Sequence, residues 1–372
     1  MANLMLPFFY GVNAMEHISG VQGISLQFHI TAECDQRCKH CYMFNSSYYK
    51  SQIENTLNGQ QMIDLIDEYF ALLAEYGSFG YVALTGGDPL LSQHFWNILK
   101  HINLHYSERC SVVVLGNPYH ITGATAKKMK SLGVDGYQIS LDGLKKTHDY
   151  LRKSGSFDSS MRALETLYDA GIQTMVAFTL SKLNVGELIP LFEYLQSQEF
   201  ISGFGFDRMI PTGNGQKIKD EIFTSGEYRQ ILFDVLKHEV LKKSYLIISK
   251  KEEMWKLLLY ELGLIDPIDT SQKEHFVIGC ACGTGTVSVL ADGTVFPCRK
   301  LEMAGGKYPE QSFKDIFINN EVTKLFRQYD KFTGCSTCKA NIICRGCPSM
   351  KYAVTGDFFG HEPYCWRCKS DE

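Results

Sequence analysis

Between residues 22 and 210 the chain alternates two hydrophobic periods. Short runs rich in β-branched and aromatic residues have the length and composition of buried strands. They are Ile24–Ile30, Gly80–Leu84, Ser111–Leu115, Gly136–Leu141, Thr174–Leu180 and Gly203–Met209. Between them, apolar residues recur at helical spacing. In Gln60–Tyr76, the residues Met62, Leu65, Ile66, Tyr69 and Leu73 share one face. Further helices are predicted near Gln93–Tyr106, Gly123–Leu132, Phe157–Ala170 and Val185–Gln198, with Gly133 and Gly171 directly after two of them as stops.

Six βα units in succession imply an α/β fold with a parallel sheet, doubly wound or curled into a barrel. Six units fall short of the eight in a complete barrel. In either form, ligands bind at the carboxyl ends of the strands. The segments expected there are the loop Cys34–Cys41, Thr85-Gly86-Gly87-Asp88-Pro89, Asp142-Gly143 and Pro211–Gly215. Residues 221–278 read as a helical bridge, with Tyr228, Ile231, Leu232, Val235 and Leu236 on one face and the apolar stretch Met254–Leu264 packed on the core. After Gly279 the chain turns cysteine-rich. The expected organisation is an extension over 1–21, a core over 22–220, the bridge over 221–278 and a cysteine-rich domain over 279–372.

The chain has 372 residues, 45% of them hydrophobic, enough for a large core. A net charge of −4 gives no sign of a nucleic-acid or anionic-membrane partner. Met1–Gly20 lacks the features of a signal peptide, and no apolar run reaches the ~18–20 residues of a membrane span. A cytoplasmic protein is expected. Its 13 cysteines are then metal ligands or redox groups more readily than disulfides. Three lie at 34–41, one at 110 and nine at 280–368. This placement points to two metal-bearing regions, with Cys110 a buried thiol.

Cys34, Cys38 and Cys41 occupy one short loop after the first strand. An iron–sulfur cubane is commonly held by four thiolates. Three on one loop leave one iron open to another ligand. Zinc is the alternative, but its sites more often pair cysteines as Cys-x2-Cys.

Cys34-x3-Cys38-x2-Cys41 after one strand, with Gly86-Gly87-Asp88-Pro89 after the next, resembles the radical S-adenosylmethionine (SAM) enzymes. The resemblance implies a partial (β/α)6 barrel, and a [4Fe-4S] cluster whose open iron chelates SAM and whose electron cleaves it to a 5′-deoxyadenosyl radical. It places Gly86 and Gly87 against the methionine moiety. Asp88 stands where the family usually has Glu, and is assigned, or the turn backbone in its place, to the methionine amino group. Ser140, at the end of strand four in Ser140-Leu-Asp142-Gly143, and Arg152, after His148 and Asp149, correspond to residues that contact SAM. His40 corresponds to the position beside the adenine. Asp142-Gly143 also reads as an ordinary turn, and Arg152 as a solvated helix residue.

The series Cys282, Cys298, Cys335, Cys338, Cys344, Cys347 and Cys365 resembles SPASM, the auxiliary-cluster module of peptide- and protein-modifying radical enzymes. That resemblance implies two auxiliary [4Fe-4S] clusters. Cys282, Cys298 and Cys347 would serve the first, and Cys335, Cys338, Cys344 and Cys365 the second. The last pair of the quartet is separated by Arg345-Gly346, one residue fewer than usual, and Cys280 and Cys368 are additional candidate ligands. Cys280 would complete the first set, or that set keeps an open iron; Cys368 could replace Cys365. A zinc-ribbon-like site on Cys335/Cys338 and Cys344/Cys347 is the alternative, but it leaves the other cysteines unexplained.

Sulfatase-maturing relatives carry a proton-accepting aspartate directly after the cysteine matching Cys298. Here that position is Arg299, which argues against sulfatase maturation. The segment Leu26–Tyr42 is similar to maturases of ribosomally made peptides, particularly those paired with Ala-Cys-Gly-X repeat peptides. The expected reaction is hydrogen abstraction from a peptide, leading to a thioether or carbon–carbon crosslink or to epimerisation. Many such enzymes carry an N-terminal leader-binding domain. Residues 1–21 are too short for one, so leader recognition is expected from a separate leader-binding protein or from another surface. The family also implies a flavodoxin or ferredoxin electron donor. Tetrapyrrole side-chain modification in haem biosynthesis is the enzymatic alternative; an iron–sulfur electron carrier is the non-enzymatic one. The sequence assigns no catalytic acid or base. Arg299, Tyr364 and Asp207 are the side chains considered for the cavity wall, each with a structural reading beside it.

Overall fold

The computed structural model describes residues 23–242, 246, 248–249, 253–265, 279–328, 331–341 and 343–367. The expected N-terminal extension and Cys368 lie outside these residues. All six expected strands form, as β1 (Ser25–His29), β2 (Gly80–Thr85), β3 (Cys110–Leu115), β4 (Val134–Ser140), β5 (Gln173–Leu180) and β6 (Gly203–Arg208). They lie side by side in chain order and parallel, the arrangement of the partial barrel.

The helix Gly59–Glu75 shows why the pattern was readable. Asn58 caps it in a reciprocal capping box with Gln61. Its predicted face, Met62, Leu65, Ile66, Tyr69 and Leu73, is wholly buried against the sheet. Tyr69 adds a polar anchor. Its hydroxyl donates to the Ile24 carbonyl at 2.6 Å and accepts from the Tyr81 amide at 3.0 Å, fixing the helix to both β1 and β2.

Three features were not anticipated. Short helices span Tyr49–Glu54 and Lys145–Leu151, too brief to show a period. The bridge, expected to be helical, has helices Ser225–Lys242 and Glu253–Glu261 but also β7 (Ile248–Ser249), which extends the sheet beyond β6. The cysteine-rich region supplies β8 (Thr286–Val289), β9 (Thr294–Phe296) and β10 (Gly306–Lys307). β8 pairs in parallel with β1, from Ser25 opposite Thr286 to Phe28 opposite Val289. The sheet therefore runs β10-β9-β8-β1-β2-β3-β4-β5-β6-β7, and the C-terminal region shares a core with the barrel. Among the described residues no helix is long and apolar enough to cross a membrane.

Replacing Tyr69 by Phe leaves the buried Tyr81 amide and Ile24 carbonyl without this partner. The expected cost is ~1–3 kcal/mol, read by denaturant unfolding of the metal-free chain. A change within error would refute the anchoring role.

Candidate functional site

The loops after β1 to β6 enclose one cavity of about 1190 Å³, counting its open mouth. Cys34, Cys38, His40, Cys41, Gly86, Gly87, Ser140 and Arg152 all line it. None of the three cysteines is in a disulfide. Each sulfur receives at least one donor. Asn117 Nδ2 approaches Cys34 Sγ at 3.3 Å and the Gln36 amide approaches it at 3.4 Å. The Phe44 amide approaches Cys41 Sγ at 3.4 Å. Arg152 Nη1 lies 3.7 Å from Cys38 Sγ. Without metal, burial pushes the Cys38 thiol up to about 12, against the pull of Arg152. Donors aimed at all three sulfurs suit thiolates that bind metal, so the residues fit an iron–sulfur cluster.

Sequence reasoning missed Asn117, although it stands in a Gly-Asn-Pro turn directly after β3. It also missed the bracing role of Asn214 after β6. Asn214 Nδ2 donates to the Cys38 carbonyl at 3.1 Å, and its amide donates to the Cys41 carbonyl at 2.9 Å. The preceding Gly213 has φ +56°, and a Cβ there would meet the Tyr42 carbonyl oxygen at 2.5 Å.

Gly86 and Gly87 are required by the cysteine loop itself. The Gly87 amide donates to the Thr31 carbonyl at 2.9 Å and the Asp88 amide to the Glu33 carbonyl at 2.7 Å. This continues the β1–β2 pairing past the ends of both strands. A Cβ on Gly86 would lie 2.1 Å from the Thr31 oxygen, and one on Gly87 2.0 Å from the Glu33 oxygen. Asp88 is fully buried and is not among the cavity-lining residues. Its Oδ1 accepts from the Leu90 amide at 3.3 Å, and its Oδ2 lies 3.9 Å from His120 Nε2. Burial, with Asp35 adding to it, raises the Asp88 pKa to about 6.

Asp142 is the buried hub of the opposite wall. Its Oδ2 takes Arg152 Nε at 2.5 Å and His40 Nε2 at 2.9 Å, and its Oδ1 accepts from the Thr179 amide at 2.8 Å. Burial alone would raise its pKa; Arg152 and His40 overcome that and hold the carboxyl well below the usual range. His148 backs this wall, accepting from the Asp142 amide at 3.1 Å and meeting Ser156 at 3.0 Å. Asp142-Gly143 is thus more than a turn, and Arg152 is largely buried. Among the described residues His40 Nδ1 is buried without a hydrogen-bond partner.

The C-terminal cysteines gather in two groups. Burial raises the Cys280 thiol, with Cys347 and Cys298 among the neighbours adding to the effect. Cys282 has Cys298, Cys280 and Cys347 around it. A hydrogen bond from Cys282 pulls Cys298 down to about 5. Cys280 therefore sits with Cys282, Cys298 and Cys347. Around Cys335 lie Cys365 and Cys338, and buried Lys351 places Nζ 3.8 Å from its sulfur. The short Cys344–Cys347 spacing has a structural counterpart. Gly346, at φ +68°, leaves room for buried Glu362, which a Cβ would meet at 2.7 Å. Glu362 accepts from the Cys347 amide at 2.6 Å and from Arg208, at the end of β6, at 2.8 Å. Arg299, Lys300 and Asp207 line the cavity. Tyr364 does not; it is buried against Tyr228. Cys110 is the buried thiol expected.

Asp142→Ala strands the buried Arg152 charge and is expected to cost about 3–5 kcal/mol in denaturant unfolding; a loss below about 1 kcal/mol would refute the hub role. Asp88 titrates higher folded than unfolded. Its ionisation therefore removes stability as pH rises from about 4 to about 6. Asp88→Asn should flatten that part of the pH–stability curve of the metal-free chain, and an unchanged curve would contradict the raised pKa.

Residues 28–195 match the radical SAM superfamily and residues 280–348 the iron–sulfur cluster-binding domain SPASM. An AdoMet-dependent heme synthase of Methanosarcina barkeri is 28% identical, over 91% of this chain and 95% of its own. The mycofactocin maturase MftC of Mycolicibacterium smegmatis is 26% identical, over 92% of this chain and 82% of its own. Streptococcus suis SuiB, solved bound to precursor peptide SuiA, shares the fold with a TM-score of 0.71 at 15% identity, covering 94% of this chain and 76% of SuiB. The order of strands, the three-cysteine loop and the two matches have one reading: the chain carries a radical SAM domain over 28–195 and a SPASM iron–sulfur domain over 280–348.

Proposed function

We propose that this enzyme is a peptide maturase, abstracting a hydrogen from a ribosomally made peptide to set up a crosslink or an epimerised residue. Cys34, Cys38 and Cys41 hold the cluster that supplies the electron for SAM cleavage. His40, Gly86, Gly87, Ser140 and Arg152 bind SAM, and the Gly87–Asp88 backbone serves the methionine end in place of the buried Asp88 carboxylate. Two auxiliary clusters use Cys280, Cys282, Cys298 and Cys347, and Cys335, Cys338, Cys344 and Cys365. The observation carrying the reading is the cavity's mixed lining: the cysteine loop and the pair Arg299 and Lys300, which directly follow Cys298, border the same space. A substrate there lies between the SAM site and the first auxiliary set. The maturase relative, alike along most of both chains, supports a peptide. Electrons come from a flavodoxin or ferredoxin.

The heme synthase relative, alike over nearly the whole of both chains, favours a second reading, tetrapyrrole side-chain modification. Anaerobic reconstitution tests both. About twelve irons per chain are expected from three cubanes, and 5′-deoxyadenosine should form with SAM and dithionite. Small peptides encoded beside the gene should lose two hydrogens or epimerise, as read by mass spectrometry and chiral amino-acid analysis. Turnover of an iron coproporphyrin with no change in any peptide would replace the first reading by the second. No 5′-deoxyadenosine from fully loaded protein would overturn both.

A further inference from the structure

Four arginine and lysine side chains line the cavity: Arg152, Arg208, Arg299 and Lys300. Three have carboxylate partners. Arg152 meets Asp142 at 2.5 Å, Arg208 meets Glu362 at 2.8 Å and Lys300 meets Asp207 at 3.4 Å. Arg299 differs. Among the described residues its guanidinium makes no hydrogen bond and no ion pair, and its one close partner is the Tyr42 ring, 5.6 Å from the centroid. Asp207 acts on it only at a distance. His29, within reach of its charge, is fully buried, and burial, helped by Arg299 itself, depresses its pKa to about 3, so it is neutral.

An arginine presents five donors in a planar fork suited to carboxylate. Leaving that fork without an anion in a confined cavity is costly. The cavity lining is also aromatic, with Tyr42, Phe44, Tyr49 and Phe178. Arg152 already stands 3.7 Å from Cys38 Sγ, whereas Arg299 follows Cys298 and lies against the ring of Tyr42, directly after Cys41.

We propose that Arg299 is a specificity-determining residue that binds a carboxylate of the substrate, orienting an aromatic or aliphatic acid toward the SAM site. The inference rests on the substrate lying in this cavity, not on whether it is a peptide. The same chemistry is offered by the C-terminal carboxylate of a peptide and by a propionate of a tetrapyrrole.

The test uses the full-length, anaerobically reconstituted enzyme with SAM bound. The probe is 3-(4-hydroxyphenyl)propionate beside its amide, with affinity read by ligand-observed NMR. The acid should bind about tenfold more tightly than the amide. Arg299→Gln should abolish that preference, and Arg299→Lys should keep part of it, with iron content verifying that each variant is loaded. Two further pairs identify the source: a peptide with a free or an amidated C-terminus, and coproporphyrin III or its methyl esters. Preference for the free acid in the peptide pair assigns the peptide source, and in the porphyrin pair the tetrapyrrole. Equal binding of acid and amide by the wild-type enzyme overturns the proposal. So does a preference that survives Arg299→Gln, or weakening of SAM binding alone by that variant. A peptide modified equally well with an amidated end would uphold the maturase reading while refuting this one.

Discussion

Everything at the site depends on how the cysteine loop is held to the sheet, and the hold is made by backbone. Past the end of β1 the chain would leave the sheet, but the carbonyls of Thr31 and Glu33 receive the amides of Gly87 and Asp88. Two strands stay locked together for several residues after their regular pairing ends. Only glycine fits where the two backbones press together. Asn214 fastens the other end of the loop through the carbonyls of Cys38 and Cys41. The backbone that carries the sulfurs thus starts from a frame held at both ends, which suits ligands that must meet a rigid cluster.

The second constraint is electrostatic. Cationic side chains crowd one cavity, and two of the carboxylates that balance them also do structural service. Asp142 joins β4, the cysteine loop through His40, and Arg152. Glu362 joins β6 through Arg208 to the backbone of Cys347. The pair Arg208–Glu362 is deeply buried and spans the seam between barrel and cysteine-rich region. Removing either member would leave a charge with no water to solvate it.

The barrel was legible because its signals are long and redundant. Six apolar runs and a helix face such as Met62–Leu73 each repeat a period several times. The cysteine loop and the Gly-Gly turn were legible through chemistry and spacing. What escaped was short or non-local. β8 has four residues, Thr-Val-Ser-Val, whose pattern does not say that its partner is β1. The role of Glu362 could not be read from one glutamate, although the shortened Cys344–Cys347 spacing marked the place where it fits. The motif alone left open whether the Asp88 side chain or the turn backbone faces the ligand, and the buried carboxylate, 3.9 Å from His120 Nε2, is a placement that only the fold reveals.

The pairing of β1 with β8 has a consequence for how the chain is made. Ser25 lies opposite Thr286 in the finished sheet, and its amide donates to the Gly285 carbonyl, yet the two segments leave the ribosome far apart in time. Until residue 289 emerges, one edge of the strand that leads into the cysteine loop stays open. Such long-range closure is slow and leaves an adhesive edge exposed during synthesis. The C-terminal strand is therefore the piece that finishes the barrel's first strand, and the barrel reaches its final form only once the cysteine-rich region has begun to fold.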